Sequence, residues 1–210
     1  MTDAPELYGH GARTLQDRFD ARRLADRLAS ITVIDALDER QIAFLQRATY
    51  FFLATTDSDG FPDVSHKGGR PGFVRVVDPT TIQFPSYDGN GMYRSLGNIL
   101  DTGRVALLFI RQDHRPVRIR IHGTAVVLTE PEVVASFEGA EAVVEVRIGR
   151  SFPNCPRYIH DLETGQLSDA SPGDGHRPPQ PEWKSWPDFA DVLPDAPPNR
   201  QPIVDSEIDR

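Results

Sequence analysis

Thr49-Tyr-Phe-Phe-Leu-Ala-Thr-Thr56, Asp57-Ser-Asp-Gly60 and Phe61-Pro-Asp-Val-Ser-His-Lys67 together decide the fold class. The first segment is rich in β-branched and aromatic residues and reads as a strand. The second is a turn that ends on Gly60, where a positive φ costs least. The third returns as a second strand. Further along, Gly68 to Gly72 forms a loop and Phe73 to Val77 a third strand. Asp78-Pro-Thr-Thr81 turns the chain into a fourth strand over residues 81–86. A glycine-rich loop follows, Tyr87-Asp-Gly-Asn-Gly91, and then a short helix near residues 93–101. Residues 104–110 read as a strand whose apolar run, Val105 to Phe109, does not alternate, which predicts cover on both faces. Residues 117–128 form a long strand. Val117, Ile119 and Ile121 share one of its faces, and Arg118, Arg120 and His122 the other. A short helix over 131–138 and a last strand over 142–148 complete this part.

Six or so strands joined by short turns, without regular βαβ alternation, predict a mainly β fold, a closed or half-closed barrel with flanking helices. Helices precede the strands. Leu15, Phe19, Leu24 and Leu28 give an apolar stripe across residues 13–29. A helix over 39–48 has Asp38 as its N-cap, with Gln41 at capping-box spacing. Nine of the 18 prolines lie between Pro172 and Pro202. That tail is expected to be extended. Its aromatics, Trp183, Trp186 and Phe189, predict packing against the barrel or a second subunit. The expected organisation is a helical extension over 1–48, a barrel domain over 49–169 and a proline-rich tail over 170–210.

The chain has 210 residues, 23 Lys plus Arg and 31 Asp plus Glu, for a net charge of −8. This balance argues against nucleic acid and anionic lipid as partners. Cys155 is the single cysteine, which fits a reducing cytoplasm. There is no signal-peptide pattern and no run of ~18 apolar residues for a membrane span.

Four segments can carry chemistry. In Asp63-Val-Ser-His-Lys-Gly-Gly-Arg70, the groups His66, Lys67, Arg70 and the Ser65 hydroxyl suit a phosphate, and Gly68 and Gly69 allow close backbone approach. The alternative is an exposed polar loop. In Pro85 to Asn98, a loop containing Asn90 feeds a helix whose first turn holds Arg94 and Ser95, with Asn98 one turn on. Free N–H groups at such a helix start favour anions, although ordinary capping explains Ser95 equally well. Arg118 and Arg120 either face solvent or line a groove. In Phe152-Pro-Asn-Cys-Pro-Arg-Tyr-Ile159, Cys155 beside Arg157 is either a nucleophile or a small apolar residue. The chain has no P-loop, no dinucleotide fingerprint, no nucleophile elbow and no zinc-ligand spacing among its six histidines. Hydrolase and metalloenzyme readings lose ground accordingly.

From about Phe51 to Thr124, a third of the chain, the order and spacing of FLATTDSDGFPDVSHKGG, PGFVRVVDPTTIQFPSYDGNG, MYRSLGNIL, RVALLFI and VRIRIHGTA resemble the pyridoxamine 5'-phosphate oxidase-related flavoproteins, the FMN-binding split-barrel family. The later FPNCPRYIH resembles a C-terminal signature of one branch of that family. The resemblance implies a homodimer with FMN at the subunit interface. It implies that Ser65, His66 and Lys67 contact the phosphate, and that Arg94, Ser95 and Asn98 approach the phosphate or ribityl chain. Pro85, Ser86 and Tyr87 would run beside the flavin ring. Arg120 would reach the ligand from the long strand, and Asn154 and Arg157 from the C-terminal segment. Gly68 and Asn90 complete the expected cofactor set. Two departures stand out: the helical first 50 residues, and a tail with Trp183 and Trp186 in place of the substrate segment of the vitamin-synthesising oxidases.

The leading functional expectation is an FMN-dependent oxidoreductase acting on a small molecule, in which the flavin does the redox work. A second is a non-catalytic flavin carrier or sensor, favoured by the lack of a nicotinamide-binding fingerprint. A third keeps the barrel but binds F420 or haem; for haem, His66 or His122 would have to be an axial ligand.

Overall fold

The computed structural model describes residues 7–173 and 175–195. The chain divides into two compact units, Ile34–Ser168 and a second made of residues 1–33 with 169–210. The first holds a single antiparallel sheet of seven strands: β1 (Tyr50–Thr56), β2 (Pro62–Gly68), β3 (Arg75–Asp78), β4 (Thr81–Tyr87), β5 (Arg104–Arg111), β6 (Val117–Leu128) and β7 (Ala140–Pro153). Their order is β2-β1-β5-β6-β7-β4-β3. Among the described residues no helix is long and apolar enough to cross a membrane.

The sheet curls. Three strands separate β1 from β4 in the sheet order, yet the rings of Phe51 and Phe84 lie 4.9 Å apart between centroids. Phe109 on β5 lies 4.8 Å from Phe51, and Phe73, just before β3, lies 5.9 Å away. These rings fill the inside together with Leu53, Ile82, Leu107, Ile119, Ile121, Val144 and Val146. The result is a mainly β split barrel with flanking helices. Residues of β6 fall on the faces their alternation predicts: Ile119 and Ile121 are buried inside, while Arg118, Arg120 and His122 lie on the outer face.

Helix α3 (Glu39–Arg47) starts where its cap predicts, with the Gln41 amide donating to Asp38 at 2.7 Å. Its Leu45 is fully buried in the barrel core, so α3 packs with the strands. The expected apolar stripe over 13–29 is broken. Helix α1 (His10–Arg18) and helix α2 (Arg22–Thr32) are separated at Asp20, which adopts φ +50°, a left-handed conformation that Asp tolerates better than most residues. Helix α4 (Arg94–Thr102) lies where expected, and α5 (Pro131–Val134) stops short of Glu138. Strand β7 is much longer than the predicted 142–148. Its second half pairs with the start of β6, as far as Ile119 opposite Pro153, so Phe152 belongs to a strand rather than a loop. β5 also departs from expectation. Val105, Leu107 and Phe109 are buried, whereas Ala106, Leu108 and Ile110 on the outer face are only half-buried.

In the second unit the proline-rich tail forms two 3-10 turns, Glu182–Ser185 and Pro187–Phe189. Phe189 and Val192 bury against Leu24 of α2, and Trp183 packs edge-on to Phe189 at 5.4 Å. Arg27 pairs with Asp191 at 3.0 Å. Phe189 and Trp183 thus find cover on α2, a partner that the sequence does not indicate, whereas Trp186 stays exposed.

Between His122 and Gly123 the register of β6 against β7 shifts, and at this bulge the two backbones run very close. A Cβ at Gly123 would overlap the Arg147 carbonyl oxygen. Gly123→Ala is expected to cost ~1–3 kcal/mol of overpacking. Thermal unfolding should show a fall in Tm of about 2–10 °C.

Candidate functional site

Strand alternation places Asp63, Ser65 and Lys67 on one face of β2. Their register partners on β1 are Thr55, Leu53 and Phe51, all core-facing. Helix α4 docks over this end of the sheet. The Ser65 and Ser95 hydroxyls are 2.9 Å apart, and Arg94 Nε lies 3.7 Å from an Asp63 carboxylate oxygen. Between them opens a cavity of about 300 Å³, lined by Asp63, Ser65, Lys67, Ser86, Tyr87, Asn90, Arg94 and Ser95 among others. Seven of the predicted cofactor residues therefore meet around one space.

Lys67 is the notable member. Burial pushes its ammonium pKa below the ordinary lysine range, and Asp63 opposes that shift. Lys67 has no hydrogen bond or ion pair among the described residues. The first turn of α4 adds its unpaired N–H groups. Tyr93, at the start of that helix, adopts φ +47° and donates its hydroxyl to Glu141 at 3.1 Å. A bulky residue in the left-handed region is strained, and such strain gathers at functional sites. The loop before it is held by Asn90, whose side chain accepts from the Met92 amide at 3.1 Å.

The remaining expected residues lie elsewhere. His66 is exposed on the opposite face of β2, stacked on Tyr50 at 5.7 Å and edge-on to Phe52 at 6.0 Å. It does not line the cavity, because successive strand residues face opposite ways. Gly68 and Gly69 also have a packing reason. A Cβ at Gly68 would crowd the His66 ring, and one at Gly69 would overlap Phe73. Pro85 is buried on the face of β4 opposite Ser86. It sits beyond the stretch paired with β3, where a missing N–H is tolerated. Asn98 is buried and donates to the Thr55 hydroxyl at 3.0 Å, so it ties α4 to β1 instead of facing the cavity.

Arg120, Asn154 and Arg157 lie on the outer face of β6 and in the segment after β7, outside the cavity lining. Asn154 Oδ1 and Arg157 Nε are buried with no hydrogen-bond partner among the described residues. Asp63, Met92 and Tyr93 line the cavity but were not singled out in the sequence. The period-2 pattern of β2 was the signal that could have added Asp63. Replacing Asn98 with Ala leaves the buried Thr55 hydroxyl unpaired and is expected to cost about 1–3 kcal/mol. Chemical denaturation should register this as a lower midpoint.

Residues 37–154 match the pyridoxamine 5'-phosphate oxidase family. A comparison with curated proteins gives no match. Among solved structures, HupZ from Group A Streptococcus is 21% identical over 63% of this chain and 98% of its own, with a TM-score of 0.46. A candidate pyridoxamine 5'-phosphate oxidase from Lactobacillus delbrueckii is 28% identical, over 58% of this chain and 99% of its own, with a TM-score of 0.45. An FMN-binding protein from Syntrophomonas wolfei is 14% identical, over 54% and 87%, with a TM-score of 0.40. The sequence match spans more than half of the 210 residues, and on that ground the chain belongs to the pyridoxamine 5'-phosphate oxidase family.

Proposed function

We propose that the chain is an FMN-binding flavoprotein that serves as an oxidoreductase for a small molecule and works as a homodimer in the reducing cytoplasm. The observation that carries this reading is Lys67, whose half-buried ammonium has no hydrogen bond or ion pair among the described residues and faces a cavity that also receives the first turn of α4. A phosphate monoester fits this donor set. Lys67 and Arg94 supply charge, Ser65 and Ser95 supply hydroxyls, and the helix N-terminus supplies amides. Ser86, Tyr87 and Asn90 extend the lining away from β2 and would border the rest of the cofactor. FMN, when bound, supplies hydride and electron transfer. The protein's part is to hold it and to shape access to its ring.

Two observations support the dimer reading. Arg120, Asn154 and Arg157 lie outside the lining of their own protomer's cavity. A second subunit would bring them to its partner's flavin. The outer face of β1 and β5 also needs a cover: Phe52 pairs with Leu108 and Ala54 with Ala106, all on the outside. A second copy of the same apolar face supplies that cover. Sedimentation should give a species of about twice 23.4 kDa, and a stable monomer that retains flavin would sink this arrangement.

The first test is an absorbance spectrum of the purified protein with mass spectrometry of what heat releases. Flavin bands and released FMN are expected, together with turnover of a reduced nicotinamide or another donor. A colourless protein that ignores added FMN overturns the proposal, and bound FMN that no donor reduces would instead favour a carrier.

Lys67→Ala removes one charge-assisted phosphate contact. It should weaken FMN binding by about 10- to 150-fold, the equivalent of ~1.5–3 kcal/mol. The pH dependence has a definite sign. In the ligand-free protein the lowered Lys67 pKa means that the unfolded chain binds more protons between that pKa and the ordinary value of 10.5. Stability therefore gains from this group as pH rises through that window. A bound phosphate favours the charged amine, so FMN affinity should fall over the same rise, as followed by flavin fluorescence. In Lys67→Ala this alkaline fall should disappear.

A further inference from the structure

A carboxylate stands among the cations of the cavity beside β2, and a phosphate alone does not explain it. Asp63 lines that cavity together with Ser65 and Lys67, and its side chain is only 27% exposed. An ionised carboxylate accepts hydrogen bonds and donates none. Among the described residues the Asp63 side chain receives none. The Arg94 guanidinium stands 3.7 Å away, an ion-pair contact longer than a hydrogen bond. Asp63 also acts on Lys67 through space, where it favours the charged ammonium against burial. A mostly buried acceptor without a donor is costly.

The row of groups along β2 has a definite order. Ser65 lies between Asp63 and Lys67, about 7 Å along the strand from each. The Ser65 and Ser95 hydroxyls meet at 2.9 Å and mark the middle of the row. A phosphate on this pair takes charge from Lys67 on one side and from Arg94 on the other. The Asp63 carboxylate then lies on the Arg94 side, a short chain length from the phosphorus. Two anions this close repel unless a donor stands between them. A fully ionised phosphate has no donor to offer. An ammonium has one, but it would meet Lys67 and Arg94. A neutral hydroxyl meets neither objection.

We propose that Asp63 is a specificity-determining residue that restricts this cavity to phosphate esters carrying a hydroxyl two or three carbons from the ester oxygen, the hydroxyl donating to its carboxylate. The inference rests on the phosphate-binding reading and adds the chemistry of the chain next to the phosphate. Free phosphate and esters of plain alkyl chains leave the carboxylate unpaired, and a site built to bond a hydroxyl rejects the analogue that lacks it. The volume of about 300 Å³ is at the lower end for small-molecule sites and suits a short polyol phosphate.

The test is calorimetric titration of the full-length, flavin-free protein with glycerol 3-phosphate, propyl phosphate and inorganic phosphate. Glycerol 3-phosphate is expected to bind about tenfold or more tighter than propyl phosphate, which has the same chain length and no hydroxyls. Asp63→Ala should bring the two esters to within about twofold of each other. Asp63→Asn keeps the shape of the side chain and removes its charge; it should reduce the preference and tighten inorganic phosphate several-fold. Lys67→Ala should weaken all three ligands about tenfold or more and leave the preference in place. If the parent binds both esters alike, or if both Asp63 variants keep the full preference, while Lys67→Ala weakens the esters, the assignment of Asp63 is overturned and the phosphate reading stands. If no phosphate binds at millimolar concentration, or if Lys67→Ala binds as the parent does, both are overturned.

Discussion

The barrel depends on the closure of its sheet around Phe51. This side chain is fully buried and touches rings from β4, β5 and the segment before β3, so four parts of the chain meet at one point. Its consequence reaches the candidate site through hydrogen-bonded register. The cross-strand partner of Phe51 is Lys67, and the partner of Leu53 is Ser65. Packing of β1 into the core therefore sets the height and facing of these two β2 groups in the cavity lining. Phe84 performs the matching task on β4, two residues before Ser86 on the same face. Core and cradle are two sides of one geometric solution.

Electrostatics separates the two ends of the barrel unit. The chain as a whole is acidic, and the cations of the first cavity sit beside a carboxylate, Asp63, which lies 3.7 Å from Arg94. Lys67 is shifted by burial, with Asp63 as the opposing influence. On the outer face, burial lowers the His122 pKa and the neighbouring Arg150 and Arg120 lower it further. His122 therefore tends toward the neutral form there, with its ring edge-on to Phe152 at 5.3 Å.

Much of this arrangement was legible in the sequence because it is written in short-range patterns. The Asp38 cap, the Gly60 turn, the alternation of β6 and the loop before α4 all stand where local chemistry puts them. What escaped depends on distance along the chain. β7 extends to Pro153 because a long β6 offers partners, and no local signal in Gly149 to Pro153 announces that. The tail's cover on α2 joins residues more than 150 positions apart. His66 was misplaced for a different reason: the basic cluster was read as a string, although the strand beneath it sends neighbours to opposite faces. Asn98 and Gly68 carried polar or permissive character that the protein spends on its own packing.

One property of β2 has a wider meaning. It is an edge strand, joined to the sheet only through β1 and steadied from above by the contact between Ser65 and Ser95. A slip of one residue would present Val64 and His66 inward and turn Asp63, Ser65 and Lys67 to the outside. The ionic character of the cavity is thus encoded in the length of the turn around Asp57 to Gly60, some distance from any ligand. A single insertion or deletion in that hairpin would exchange the face bearing Asp63, Ser65 and Lys67 for one bearing Val64 and His66 while leaving every lining residue in the gene unchanged.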